Sequence, residues 1–105
     1  VGMLLIHNGC VRSWSRNDRS TVKSIEVVAD RGKISALRDE YRQYEGIYEI
    51  IIEANEGMLT PGDDLLFIVV AGDIREHVKP VLAELLDRIK SEAVSKRELP
   101  KTSDF

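Results

Sequence analysis

The most informative segment of this 105-residue sequence is Gly57–Arg75, GMLTPGDDLLFIVVAGDIR. It begins with a turn at Pro61–Asp63, because proline fixes φ and the glycine after it accepts positive φ. Six apolar residues, Leu65–Val70, follow without interruption, which predicts a strand that is buried on both faces. A helix is predicted to begin just after it, since Asp73 and Glu76 have the spacing of a capping box.

The sequence before this segment predicts three strands and a helix. Met3–Val11 and Thr21–Ala29 have strand character, and we expect them to pair as a long hairpin with a mobile tip. Asp30 is a good N-cap for the helix that follows, and Gly46 is a plausible terminator. Ile47–Ala54 is dense in β-branched residues and predicts the third strand. The apolar face of the helix is predicted to consist of Ile34, Leu37, Tyr41 and Tyr44.

The last third of the sequence predicts a long helix and a tail. The apolar spacing continues to about Ala93 or Lys96, and Pro80 should kink this helix or mark a short first turn. Residues 97–105 are polar and are predicted to be a loose C-terminal tail outside a single domain, 1–96. The resulting order, β-β-α-β-β-α, predicts an α+β fold with antiparallel strands and two helices.

The composition is that of an ordinary soluble domain, with 43% hydrophobic and 31% charged residues. The formal net charge of −3 provides no general attraction to nucleic acid or to anionic membranes. Val1–Ile6 lacks the basic leader and cleavage pattern of a signal peptide, and Cys10 has no second cysteine to pair with. We therefore expect a cytoplasmic protein that binds neither nucleic acid nor membrane.

The candidate functional groups are mainly cations. His7, His77 and Cys10 do not form a metal-ligand pattern, so neither a metal site nor a cofactor is predicted. Desolvated lysines near other cations can act as acid, base or nucleophile, and arginines beside them bind phosphate or carboxylate. The alternative for each cation is a solvated surface charge. The candidates are Arg12, Arg16 and Arg19 near the first loop, Arg75 at the start of the final helix, and Lys90, Lys96 and Arg97 toward the end.

Cys10 allows two interpretations. A cysteine on a strand is more often a small buried apolar side chain than a functional group, and we expect the former. The alternative is a reactive thiol whose pKa is lowered by Arg12.

Several motifs resemble the large, catalytic subunit of molybdopterin synthase. Gly57–Asp64 resembles the G-x-L-x-P-G-[DE] turn that precedes a strand in that family. Gly9–Arg12 resembles the G-x-V-R at the end of its first strand. Leu86–Lys90 and Lys96–Glu98 resemble its closing D-x-[LI]-K and K-[RK]-E. The motifs occur in the order of the family and cover most of the chain.

The resemblance implies an α/β-hammerhead type of fold and a homodimer. It also implies a small ubiquitin-like partner whose C-terminal Gly-Gly thiocarboxylate enters a pocket of the large subunit. The implied reaction inserts two sulfurs into cyclic pyranopterin monophosphate and forms the dithiolene of molybdopterin. By position, Lys90 and Lys96 match the two catalytic lysines of the family, and Arg12 and Arg75 match arginines that line its anionic substrate pocket.

Three departures from the family pattern favour an alternative. Ile74 stands where the family usually has histidine, His7 stands where it usually has an aromatic residue, and the run before Lys96 is one residue shorter. The alternative is a non-catalytic member of the same fold that binds a partner protein or an anionic ligand. A third interpretation, an unrelated α+β ligand-sensing domain, rests only on the order of the elements.

Overall fold

The computed structural model describes residues 1–12 and 22–100, which form two antiparallel sheets with helices on one of them. The first sheet has the strand order β1-β5-β3 and the second has the order β4-β2-β6. The predicted α+β class, with antiparallel strands and two α-helices, is confirmed. The elements are β1 (Met3–Cys10), β2 (Val22–Ala29), α1 (Arg31–Arg42), β3 (Ile47–Ala54), β4 (Gly57–Leu59), β5 (Asp64–Gly72), α2 (Arg75–Arg88), a π-helix (Ile89–Ala93) and β6 (Val94–Pro100).

Strand β5 is the centre of the first sheet, as its apolar sequence predicts. Its inward-facing residues Leu66, Ile68 and Val70 are at most 4% exposed. The alternate residues Phe67 and Val69 are only half-buried. The prediction of burial on both faces is therefore wrong for the face that carries Phe67 and Val69. The helices α1 and α2 pack only on the opposite face, which carries Leu66, Ile68 and Val70.

The first helix follows its sequence signals closely. The Asp30 side chain accepts a hydrogen bond of 3.0 Å from the backbone N–H of Lys33, which caps the helix start. Gly46 has φ +80°, so the chain leaves the helix through a left-handed glycine. The predicted apolar face is confirmed at Ile34, Leu37 and Tyr41, which are all buried. It is wrong at Tyr44, which lies beyond the end of the helix and is 41% exposed.

The predicted pairing of the first two strands is wrong. Strand β1 pairs with β5, with Met3 opposite Gly72 and Gly9 opposite Leu66. Strand β2 lies in the other sheet, between β4 and β6. Alternating apolar residues identify each strand, but the choice of partner depends on which sheet buries its apolar face. The predicted hairpin tip, residues 13–20, lies outside the described residues.

The chain after β5 differs from its prediction in several places. Asp73 does not form a capping box, because its Oδ1 accepts hydrogen bonds from the Ile74 backbone N–H at 2.6 Å and from His77 at 2.8 Å when Nδ1 is protonated. Ile74 is the N-cap residue, without a side-chain cap. Pro80 lies inside α2 without ending it.

The end of α2 shows the largest difference from the sequence prediction. The α-helix ends at Arg88 and continues as a five-residue π-helix to Ala93. Strand β6 then pairs with β2 as far as Pro100. The predicted loose conformation is therefore wrong for residues 97–100, because backbone hydrogen bonds to β2 order a segment whose own sequence is polar. The division between domain and tail stays a prediction, and residues 101–105 lie outside the described part.

Two apolar clusters form the core and meet at the junction of the sheets. The larger cluster lies between the first sheet and the helices, and includes Leu37, Ile50 and Leu85. The smaller one lies on the second sheet, and Leu65 and Val94 pack against both clusters. These two side chains thus connect the sheets at the place where a pocket opens. The smaller cluster consists of Val11, Ile25, Val27 and Leu59.

Candidate functional site

A pocket of about 340 Å³ lies at the junction of the two sheets. Both sheets and the π-helix contribute to its walls. Three of the four predicted site residues, Arg12, Lys90 and Lys96, line it, so distant parts of the sequence converge as the resemblance implies. The apolar part of the lining consists of Val11, Ile25, Leu65, Leu66 and Val94.

The Pro61–Asp63 turn positions the end of β1, and therefore Arg12. The Gly62 N–H donates to the Val11 carbonyl oxygen, and the Val11 N–H donates to the Asp63 carbonyl oxygen, both at 2.9 Å. Gly62 has φ +96°, which a residue with a side chain adopts only under strain. The Asp63 carboxylate closes the turn by accepting from the Thr60 N–H at 2.9 Å. The most specific motif of the sequence thus fixes the backbone next to a pocket cation.

The π-helix determines where Lys90 lies. Its backbone closes with a hydrogen bond from the Val94 N–H to the Ile89 carbonyl oxygen. Ile89 and Ala93 remain in the core at 0% and 4% exposure, while Lys90 is exposed and lines the pocket. One-turn π segments are frequent at functional sites because they redirect side chains within a helix. Lys96 follows on β6, opposite Val27 of β2.

The fourth predicted residue, Arg75, does not line this pocket. It is the first residue of α2, its side chain is 75% exposed, and it lies 3.6 Å from the Glu76 carboxylate. The start of α2 follows Gly72, which pairs with Met3, whereas the pocket lies at the Cys10 end of β1. The eight residues of β1 separate these ends by roughly 23 Å. The predicted Arg16 and Arg19 lie outside the described residues.

His7 is a pocket residue to which the sequence analysis assigned no role. It lies on the inward face of β1, next to Lys90. Burial and the positive charge of Lys90 lower the pKa of its imidazole. The sequence does contain a signal for this role. In the alternation of β1, a polar side chain at position 7 follows the apolar Met3 and Leu5 on the inward face.

Cys10 also lines the pocket, and neither interpretation of it is correct. The residue is exposed rather than buried, and its Sγ donates to Asp64 Oδ1 across 3.6 Å. Desolvation and this hydrogen bond raise the pKa of the thiol, which keeps it protonated. Arg12 therefore does not activate this thiol, because the charged group that contacts it is a carboxylate.

Within the described ranges, 1–12 and 22–100, no group of three or more His, Cys, Asp or Glu side chains could hold a metal ion. The same part of the chain contains no helix that is long and apolar enough to cross a membrane.

The fold and the site are those of a small α+β protein with a basic pocket between two antiparallel sheets. The chain belongs to the MoaE protein family, whose model matches residues 1–92. This match confirms the predicted family and removes the interpretation as an unrelated ligand-sensing domain.

A probable molybdopterin synthase from Haloferax volcanii is similar to the chain in sequence. The two proteins are 24% identical over 110 aligned positions. The alignment includes 100% of this chain and 42% of the Haloferax protein, so the chain spans less than half the length of this relative.

Solved structures of low sequence identity share the fold. The molybdopterin synthase of Staphylococcus aureus superimposes with a TM-score of 0.82 at 21% identity, covering 97% of this chain and 77% of that one. A protein–protein complex of subunits 1 and 2 of the molybdopterin-converting factor from Helicobacter pylori contains a chain with a TM-score of 0.73 at 13% identity, covering 95% and 67%.

Proposed function

We propose that this protein inserts sulfur into cyclic pyranopterin monophosphate to form the molybdopterin dithiolene. The sulfur donor is the C-terminal thiocarboxylate of a small ubiquitin-like subunit. The observation that carries this proposal is the convergence of Arg12, Lys90 and Lys96 on one pocket. A non-catalytic member of the fold that binds only a partner protein would not need these three cations in one place. Membership of the MoaE family and the two-subunit complex from Helicobacter pylori support the same reaction and the same kind of partner.

The pocket groups suit the charges of this reaction. The Arg12 guanidinium can bind a phosphate through two parallel hydrogen bonds. In each insertion the thiocarboxylate sulfur forms a C–S bond to the pterin side chain, and a C–O bond breaks there. Lys90 and Lys96 would stabilise the negative charge on the departing oxygen and donate a proton to it. Water then cleaves the acyl–sulfur bond, which leaves carboxylate on the carrier, sulfur on the pterin, and protons that restore the lysines.

We also propose that the protein acts as a homodimer in the cytoplasm. Arg75 is too far from the pocket of its own chain, so a second copy would have to supply this residue if it contacts substrate. The side chains of Leu4, Ile6 and Ile51, which are exposed on the first sheet, support self-association. The single cysteine, Cys10, is consistent with a reducing compartment.

The test supplies the thiocarboxylated small subunit and cyclic pyranopterin monophosphate to the full chain and measures dithiolene product. We expect Lys90→Ala and Lys96→Ala each to lower the rate by about 100-fold or more, because each removes a proton donor or a stabilising charge. Lys79→Ala is the matched control, since Lys79 is an exposed lysine of α2 that does not line the pocket. Absence of product with the wild type, or full activity in both pocket variants, would contradict the proposal.

A further inference from the structure

The position of His7 is set by the alternation of β1 and by a glycine. Met3 and Leu5 pack against the larger core cluster, and His7 follows on the same face. The next inward position is Gly9, and a Cβ built there would lie 3.1 Å from His7 Nε2. Gly9 therefore leaves room for the imidazole to lie along the strand at the pocket wall.

The ionisable groups around His7 are mainly positive. Lys90 approaches from the π-helix, Lys96 from the start of β6, and Arg12 from the end of β1. On β5, His7 pairs with Ile68, which is apolar, and Asp64 accepts its hydrogen bond from Cys10. In the part of the chain that the structure describes, the His7 ring has no hydrogen-bond partner.

In this environment the charge of His7 depends on whether an anion occupies the pocket. Burial and Lys90 lower the pKa of the imidazole, so the ring is neutral near pH 7 before an anion binds. An anion in the pocket offsets part of the positive charge of Lys90, Lys96 and Arg12 and attracts a proton to the ring. The imidazolium is then a further charged donor to the anion. Linkage is reciprocal, so the two effects have the same size. If a bound anion raises the proton affinity of His7 by some factor, protonation of His7 raises the affinity for the anion by that same factor.

We propose that His7 is an anion-binding residue of this pocket and that it takes up one proton when the phosphate group of the substrate enters. The assignment of the anion to a substrate phosphate rests on the proposed function. The proton uptake makes substrate affinity increase as pH falls.

The test uses sulfate as the probe, because sulfate stays a dianion across the range of the titration. The imidazole signals of His7 and His77 in the full chain are followed by NMR from pH 5 to pH 8.5, in sulfate and in chloride of equal ionic strength. We expect sulfate to raise the pKa of His7 by about one unit, which corresponds to a tenfold coupling. His77 is the internal control, since it does not line the pocket.

Affinity measurements provide the second arm. Wild type and His77→Gln should bind sulfate about tenfold more tightly at pH 5 than at pH 8, and His7→Phe should lose this difference. An unchanged pKa of His7 in sulfate overturns the proposal on the wild-type protein alone, even if His7→Phe fails to fold. Retention of the pH difference in a folded His7→Phe variant also overturns it.

A parallel assay for dithiolene separates this inference from the proposed reaction. Product formation together with a His7 that does not respond to sulfate overturns only the role of His7. A response of His7 without any product supports the anion site and contradicts the reaction.

Discussion

At the scale of single residues, Gly46 shows how one glycine connects α1, β3 and α2. Its φ of +80° is the expected helix terminator, but the space beside it is already filled. The carboxylate of Asp73 and the ring of His77 lie where a Cβ would be, and the Asp73 N–H donates to the Gly46 carbonyl oxygen at 2.9 Å. The hydrogen bond with Asp73 raises the pKa of His77 and lowers that of Asp73.

Replacing this glycine should therefore cost more than the backbone strain. We expect Gly46→Ala to lower the free energy of unfolding by about 1–3 kcal/mol more than Gly57→Ala, because only the former forces a packed side chain to move. Gly57 is a matched control, since its φ is +95° and a Cβ there meets nothing within 4 Å. Urea denaturation at pH 7 measures both values. Equal decreases in the free energy of unfolding for the two variants would contradict this prediction, because they would show that Asp73 and His77 can move without an energetic penalty.

At the scale of elements, the π-helix is attached to α1 by a network of ion pairs. Arg88 donates to Glu92 and to Glu40, each at 2.9 Å, and Lys33 lies 3.0 Å from the Glu92 carboxylate. The backbone N–H of Asp30 also donates to the Ala93 carbonyl oxygen at 2.7 Å. These contacts secure both ends of the segment that carries Lys90 into the pocket.

The network predicts a pH-dependent contribution to stability. Hydrogen bonds from Arg88 and Lys33 lower the pKa of Glu92 from 4.5 to about 2. The contribution of the ionised carboxylate is therefore complete above pH 4.5 and is lost as pH falls through about 2. We expect the urea midpoint of wild type to exceed that of Glu92→Gln above pH 5, and the difference to narrow toward pH 2.

The control for this prediction is Glu53→Gln, a change of the same chemistry on an exposed residue of β3. Its effect on the midpoint should be small at every pH. A difference between wild type and Glu92→Gln that stays constant from pH 7 to pH 2.5 would contradict the ion-pair explanation.

At the scale of the whole molecule, one face of the first sheet is covered by no helix of residues 1–12 and 22–100. Across its three strands, Ile6 pairs with Val69 and Val69 pairs with Ile51. Leu4 and Ile6 are 61% and 57% exposed, and Ile51 is 48% exposed. A row of apolar side chains of this kind is typical of an interaction surface, and a two-fold axis can place it against its own copy.

The proposed homodimer can be tested on this row. We expect Ile6→Glu to convert the dimer to a monomer, because two glutamates would be brought into an apolar interface. Light scattering after size-exclusion chromatography measures the mass. Val28→Glu is the matched control, since Val28 is 58% exposed on the other sheet. A monomeric wild type, or a dimer that survives Ile6→Glu, would contradict this interface.

The parts of the structure that depend on local chemistry were predictable from the sequence. The Asp30 cap, the left-handed Gly46 and the turn at Pro61–Asp63 depend on residues within a few positions of one another. The central strand was found from its unbroken apolar run. The resemblance assigned Arg12, Arg75, Lys90 and Lys96 to the site, and all of these except Arg75 line one pocket.

The pairing of distant segments was decided only by the tertiary structure. The sequence alone favoured a hairpin of the first two strands and a loose segment after Lys96, whereas β1 joins β5 and β6 joins β2. Strand pairing depends on which faces can be buried together, and a polar segment such as 97–100 is ordered by its partner rather than by its own propensity. The sequence also named the pocket cations, while only the tertiary structure showed that His7 lines the same pocket as Lys90.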